Sequence, residues 1–130
     1  MKRPDDAEEA ALDSALEALA AGDHEQALGH LEEVDPARGE RWTTASHAHL
    51  ELGRFVESEQ ALTRARAALG PKQLDVLWAE GRLRLAQWRL REARAAFEQL
   101  DVDSEGAPLL ENLALLADLE GDAHHADALF

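Results

Sequence analysis

The stretch Gly22–Leu31 reads GDHEQALGHL, and it contains the residue types that a helical hairpin requires. Gly22 allows the positive φ with which many helices end, and Asp23 is of the type that caps the start of the next helix. Ala27 leaves room for two helices to approach closely, while Leu31 is large enough to fill the space between them. The stretch therefore predicts a turn followed by a helix that packs against the helix before the turn.

The same arrangement occurs four times along the chain. The stretches GRFVESEQAL, WRLREARAAF and GDAHHADALF begin at residues 53, 88 and 121, so the four starts are separated by 31, 35 and 33 residues. The position of Ala27 is taken by Ser58, Ala93 and Ala126, and that of Leu31 by Leu62, Phe97 and Phe130. Periods of this length are typical of repeats that each consist of two helices.

The composition favours helix throughout, because Ala and Leu dominate, tyrosine is absent and β-branched residues are sparse. We predict an all-α fold, a right-handed α-solenoid of about four stacked helical hairpins that forms a single domain over residues 1–130. The repeats are expected at about 7–36, 37–70, 71–104 and 105–130. The predicted helices cover about 6–21, 24–34, 37–52, 55–69, 72–87, 90–101, 105–120 and 123–130.

Individual residues predict how the helices begin and turn. Asp35, which precedes Pro36, is expected to cap the third helix, and Asp103 or Ser104 to cap the first helix of the fourth hairpin. Trp88 stands where the other repeats have a glycine, so we expect its turn to be built differently. Its indole either packs over the end of the hairpin or is exposed as an anchor for a neighbouring domain or subunit.

With these repeats the chain resembles the tetratricopeptide repeat family from about Ala7 to Phe130. That family has Trp, Leu, Gly and Tyr on the first helix, followed by Gly-x-x-x-x-Ala-x-x-x-Phe over the turn and the second helix. Trp42 matches the aromatic place of the second repeat, and Gly81 matches the glycine place of the third. The chain departs from the family at Ser58, in the small place, and at the tyrosine place, which holds Ala18, His49, Arg84 and Ala117.

The resemblance implies that a partner peptide or helix binds a groove lined by the first helix of each hairpin. Carried over by repeat, the groove residues are Thr43, His47, Leu50, Trp78, Arg82, Leu85, Glu111, Leu115 and Asp118. Trp78 and Arg82 lie one turn apart, and this pair suits an acidic or C-terminal carboxylate beside an apolar contact. The alternatives are that Trp78 belongs to the core between hairpins and that Arg82 pairs with Glu111 or Asp118.

Other kinds of site are not expected. The places where one subclass of the family clamps chaperone tails with Lys and Asn hold Leu12, Leu16, Thr43 and His47. An HExxH zinc box is excluded because Leu28 stands four residues after His24, and His30 lies about 240° away around the helix. The other histidines diverge within each pair, which are His47 with His49 and His124 with His125. With no cysteine and no phosphate-binding loop either, we predict no metal, no cofactor and no enzyme activity.

The net charge is −14 and is unevenly distributed. Residues 1–34 carry −8 and residues 105–130 carry −6, whereas the middle is neutral. This charge disfavours a nucleic-acid partner, and the acidic ends either keep the protein in solution or steer a basic partner. No apolar segment approaches the roughly 20 residues that cross a bilayer, and the N-terminus lacks the apolar core of a secretory signal. We expect no membrane partner and a cytoplasmic location.

The predicted function is a non-catalytic protein–protein interaction scaffold that binds a peptide or helix of a partner protein. The alternative is an N-terminal regulatory or interaction module of a larger bacterial enzyme such as a peptidase or hydrolase, because the last predicted helix stops after barely two turns. A further prediction is a homodimer through the C-terminal face, where poor covering is expected of Leu109, Leu113, Leu116 and Phe130.

Overall fold

The structure, a computed structural model, describes residues 4–129 and the side chains of residues 6–122. Within that range every regular element is a helix, which confirms the all-α helical-repeat prediction. The helices are α1 (Pro4–Ala20), α2 (His24–Leu31), α3 (Gly39–Glu51), α4 (Phe55–Leu69), α5 (Leu74–Ala86), α6 (Leu90–Phe97), α7 (Val102–Glu105) and α8 (Ala107–Leu129). None of the helices in this part of the chain combines the length and the apolarity that crossing a membrane requires.

The chain divides into two compact units, Met1–Ala79 and Glu80–Phe130, and the boundary lies inside α5. The first unit contains the hairpins α1–α2 and α3–α4, and α2 also packs against α3. In the second unit, both α6 and α7 pack against α8.

The predicted turn at Gly22 is confirmed. Gly22 has a φ of +83°, and its N–H donates to the carbonyl of Leu19 at 3.1 Å, while the N–H of Asp23 donates to that of Ala18 at 2.9 Å. This pair of hydrogen bonds closes a helix whose last residue is left-handed. Asp23 then caps α2, because its side chain accepts a hydrogen bond from the N–H of Gln26 at 3.1 Å.

The repeat pattern also predicts the core of the first unit. Ala27 and Leu31 are buried, as expected of the small and the large positions, and so are Ser58 and Leu62 in the second hairpin. One core cluster consists of Ala11, Leu12, Ala15, Leu31, Val34, Ala45 and Ala61. Since four of these seven are alanines, α1, α3 and α4 can approach one another closely. Trp42 packs against the edge of this cluster.

In the second unit, Gly81 permits the close approach of α5 to α6. A methyl group on its Cα would overlap the ring of Phe97, which is fully buried. Ala93 and Phe97 are buried at the small and large positions, as predicted. The third repeat therefore requires glycine at position 81 because a larger residue would collide with Phe97.

The turn at Trp88 corrects a prediction. Trp88 has a φ of +61°; its N–H donates to the carbonyl of Leu85 at 3.0 Å, and the N–H of Arg89 donates to that of Arg84 at 2.8 Å. This is the same hydrogen-bonded turn as at Gly22 and at Gly53, which has a φ of +76°, so the expectation of a differently built turn is wrong. The closing hydrogen bonds impose the left-handed conformation on whichever residue stands there. The indole is 58% exposed, which favours the exposed alternative over packing at the hairpin end.

The predicted turn at Gly121 is wrong. Helix α8 runs without a break from Ala107 to Leu129, and Asp122 lies inside it rather than capping a new helix. A glycine inside a helix costs only about 1 kcal/mol relative to alanine, and no proline follows to end the helix. The positions assigned to Ala126 and Phe130 lie outside the residues whose side chains are described.

Two predicted helix caps are also wrong. The Asp35 side chain accepts a hydrogen bond from the N–H of Ala37 at 2.9 Å, and α3 begins only at Gly39. Ahead of α8, Asp101 rather than Asp103 or Ser104 acts as the cap: it accepts from the N–H of Asp103 at 3.0 Å and precedes the short helix α7. The Asp35 side chain closes a turn outside any helix, whereas Asp101 caps α7 in the ordinary way.

Candidate functional site

The predicted groove residues of α3 share one face of that helix. Thr43, His47 and Leu50 follow one another at intervals of four and three residues, and all three are partly buried. The hydroxyl of Thr43 donates to the carbonyl of Glu40 at 3.2 Å, and Nε2 of His47 lies 3.6 Å from a carboxylate oxygen of Glu51. This face is therefore polar, with its two polar side chains engaged within the helix.

The predicted groove residues of α5 have a different character. Trp78, Arg82 and Leu85 have the same spacing and are also partly buried. On the same helix Leu77 and Leu83 are buried, so the packed side of α5 lies next to the predicted binding face. The face combines an indole, a guanidinium and an aliphatic side chain within two helical turns.

The predicted residues of α8 are the most accessible. Glu111, Leu115 and Asp118 are all exposed, whereas Leu109 and Leu116 of the same helix are fully buried. The expectation that Leu109 and Leu116 are poorly covered is thus wrong, because they form the packed side of α8.

The other two residues of the predicted C-terminal face are Leu113 and Phe130. Leu113 is partly buried, and Phe130 lies outside the described residues. The exposed large apolar residues of α8 are instead Leu110 and Leu115, at 52% and 45%. Two of the leucines on which the expected homodimer rested are therefore buried, and the homodimer itself stays a prediction.

Histidine side chains form no constellation in the described part of the chain. Among the side chains of residues 6–122, no group of three His, Cys, Asp or Glu residues could hold a metal ion. His24 and His49 are partly buried, and the Nδ1 atom of each is buried without a hydrogen-bond partner. Burial, followed by the positive charge of Arg54, lowers the pKa of His49 below its ordinary value. His124 and His125 lie outside the described side chains.

Sequence reasoning missed the burial of Arg84, which occupies a tyrosine place of the family. Its guanidinium Nε donates to Oε1 of Glu80 at 3.0 Å, and Nη1 donates to Oε1 of Gln87 at 3.0 Å. The spacing of four between Glu80 and Arg84 is the signal that could have indicated the pair. A buried and paired arginine of this kind belongs to the structure of α5 rather than to a binding surface.

Sequence reasoning also missed the surroundings of Trp42. Two guanidinium groups lie over its indole, those of Arg41 and Arg64, at 4.7 and 4.5 Å from the ring centroid. The indole N–H donates to the carbonyl of Pro36 at 2.7 Å. Trp42 and Arg64 are 22 residues apart on different helices, so no local spacing indicates their contact.

Comparison with known proteins identifies the repeats. The family model described as tetratricopeptide repeat matches residues 18–70, which run from the end of α1 to the end of α4. No curated protein and no solved structure matches the chain. Repeats of this family generally mediate protein–protein interaction and are typically non-catalytic. The hairpins, their small and large core positions and the family match agree, and residues 18–70 belong to the tetratricopeptide repeat family.

Proposed function

We propose that this protein is a scaffold that binds a peptide or helix of a partner protein through the first helices of its hairpins. The observation that carries the proposal is the face of α5 with Trp78, Arg82 and Leu85, because each of these side chains is only partly buried. The positions that correspond to this face by repeat are Thr43, His47 and Leu50 on α3, and Glu111, Leu115 and Asp118 on α8.

The chemistry of the α5 face favours a partner that carries a carboxylate next to an apolar side chain. Trp and Arg are over-represented among residues that dominate the energy of interfaces. A guanidinium can hold a carboxylate through two parallel hydrogen bonds, and an indole one turn away offers a flat apolar surface. The family match supports a binding role, since proteins of this family generally bind other proteins.

The experiment compares two double variants of the full chain. Trp78→Ala with Arg82→Ala removes the α5 face, whereas the matched control Trp88→Ala with Arg91→Ala removes one exposed tryptophan and one exposed arginine elsewhere. Each chain is immobilised and exposed to a lysate of the source organism, and the captured proteins are identified by mass spectrometry. Circular dichroism first establishes that both variants are folded.

The proposal predicts a set of proteins that the native chain and the control capture and that the Trp78→Ala, Arg82→Ala variant does not. Truncating one central hot-spot residue costs about 2 kcal/mol or more, so loss of the pair reduces capture by at least about thirtyfold. Equal capture by all three chains would remove the α5 face as the binding site.

A further inference from the structure

A second accessible region lies on the hairpin α3–α4, around the stacked Trp42 and Arg64. One cavity of about 560 Å³ is lined by α3 and α4, and includes Trp42, His49, Glu57 and Arg64. A second, of about 420 Å³, has Trp42 and Arg64 in its wall together with Pro36 and several alanines. Both are shallow recesses that open to the surface, so they suit a segment lying along the hairpin rather than an enclosed small molecule.

Among the side chains of residues 6–122, Arg64 has no carboxylate partner, which distinguishes it from six other arginines. It is exposed and stacks on Trp42, and it forms no ion pair or hydrogen bond with another residue of the described part. Six other arginines each lie within ion-pair distance of a glutamate: Arg38, Arg41, Arg54, Arg84, Arg89 and Arg94. In a chain with a net charge of −14, an arginine that no acid neutralises is a local exception.

The stacking leaves the guanidinium chemically available. Contact between its face and an indole uses none of its five N–H donors, which remain able to hold a carboxylate in the two-pronged manner. The ring contact also restricts the side chain, so less conformational freedom is lost when a ligand binds.

The residues that line the two cavities around Arg64 indicate the chemistry of the rest of the ligand. The indole of Trp42 and two exposed alanines of α4, Ala67 and Ala68, provide apolar surface beside the guanidinium. Gln60 and Glu57 add groups that can form hydrogen bonds with the main chain of an extended peptide.

The other guanidinium over the indole, that of Arg41, is already engaged, because it lies 3.8 Å from a carboxylate oxygen of Glu32 and donates to the carbonyl of Val34. Arg64 therefore supplies one unpaired cation next to Glu57, which suits a single negative charge better than the double charge of a phosphate.

We infer that this region is a second binding site, for a protein segment in which an aspartate or glutamate is flanked by apolar side chains. The carboxylate binds Arg64, and the flanking side chains enter the two cavities that meet at the Trp42–Arg64 stack. The site is independent of the α5 face, because it uses residues of α3 and α4 and neither Trp78 nor Arg82.

The test titrates the full chain, labelled with ¹⁵N, with three short blocked peptides. They have the sequences acetyl-Leu-Asp-Leu-amide, acetyl-Leu-Asn-Leu-amide and acetyl-Leu-phosphoserine-Leu-amide. The readouts are the side-chain signals of the Trp42 indole N–H and the Arg64 Nε–H, with the other two tryptophans as internal references. The variants are Arg64→Gln and the control Arg91→Gln, which removes an exposed arginine of α6.

The aspartate peptide is expected to shift both signals in a saturable way. The asparagine peptide, and the aspartate peptide with Arg64→Gln, bind at least about tenfold more weakly, since a charge-assisted hydrogen bond is lost, whereas Arg91→Gln changes nothing. Three results overturn the inference: no saturable shift up to about 10 mM peptide, equal binding of the asparagine peptide, or tighter binding of the phosphoserine peptide, which would make this a phosphate site. Capture experiments on the Trp78→Ala, Arg82→Ala variant are unaffected by any of these results.

Discussion

The hydroxyl of Ser58 donates a hydrogen bond to the main-chain carbonyl of Ser46 at 2.8 Å, and the two hydroxyl oxygens lie 3.0 Å apart. Both side chains are buried between α3 and α4. Ser58 stands at the small position where the other repeats have alanine, and the additional hydroxyl is accommodated because Ser46 supplies its partners. The departure from the family pattern at this position is thus a matched pair rather than a defect.

The serine pair predicts a non-additive pair of substitutions. Ser58→Ala leaves the buried hydroxyl of Ser46 without its partner and should cost about 1–3 kcal/mol of unfolding free energy. The double variant Ser46→Ala, Ser58→Ala removes both groups and should be less destabilised than the sum of the single changes, by about 1 kcal/mol. Urea unfolding of the four chains measures this coupling, with Ser46→Ala as the second single variant. Strict additivity would show that the two hydroxyls do not interact.

The turn at Trp88 predicts a stabilising substitution. A left-handed conformation costs a residue with a Cβ atom about 1–2 kcal/mol, and glycine does not incur that cost. Because the indole is 58% exposed, Trp88→Gly loses little apolar burial and should raise the unfolding free energy by about 1 kcal/mol. Trp88→Ala is the control, since it removes the indole but keeps the Cβ atom and its strain. If Trp88→Gly were instead destabilising and Trp88→Ala equally so, the indole would have a packing role.

The glycines of helices α5 and α2 predict opposite effects of the same substitution. Gly81→Ala places a methyl group against the buried ring of Phe97 and should cost about 1–3 kcal/mol. Gly29→Ala meets no atom within 4 Å and should stabilise its helix by about 0.5–1 kcal/mol. Thermal unfolding of the two variants under identical conditions checks both signs. A loss of stability in both variants would mean that steric overlap does not explain the effect of these substitutions.

The residues at the turns show which parts of the fold could be predicted from the sequence. At Gly22 and Asp23 the local pattern predicts the turn and the cap that the structure shows. The same Gly-Asp pair at residues 121–122 lies inside α8, so the pair alone does not determine a turn. At Trp88 the residue type does not indicate the turn, because tryptophan rarely adopts a positive φ. The hydrogen bonds that close the end of α5 impose this conformation. The prediction at Gly121 is wrong for the opposite reason, since glycine permits a turn without requiring one.

One of the two candidate binding surfaces could be predicted from the sequence, and the other could not. Trp78 and Arg82 could be proposed from their spacing of four residues on one predicted helix, and their role in binding stays a prediction. The contact between Trp42 and Arg64 joins two helices across 22 residues, and only the packing of α3 against α4 brings them together. Local spacing indicates which side chains share a helix face, but it does not indicate which faces meet.

The unbroken helix α8 predicts the outcome of a substitution at Gly121. No atom lies within 4 Å of a Cβ added there, so Gly121→Ala should stabilise the helix by about 1 kcal/mol. A left-handed turn at this glycine, as the repeat pattern predicted, would give the opposite sign, because alanine would then incur about 1–2 kcal/mol of strain. Urea unfolding distinguishes the two, and Gly22→Ala is the matched control at a glycine with a φ of +83°.

The surroundings of His49 predict how stability depends on pH. Burial and then the positive charge of Arg54 lower its pKa, an effect that Glu57 and Glu25 partly oppose. In the unfolded chain the imidazole has its ordinary pKa of 6.5, so as the pH falls below that value the unfolded state binds the proton first. The contribution of neutral His49 to stability is therefore complete above about pH 6.5 and is lost as the pH falls toward the lower pKa of the folded state.

The variant His49→Phe should accordingly lose less stability than the native chain between about pH 7 and pH 5, because it has no imidazole to titrate. The carboxylates titrate in both proteins at the lower end of this range, so the difference between the two chains isolates His49. Urea unfolding at several pH values gives the comparison, and an NMR titration of the folded protein gives the pKa of His49 directly. A pKa at or above 6.5 in the folded chain, together with parallel stability curves, would contradict the prediction, since protonation would then carry no cost in the folded state.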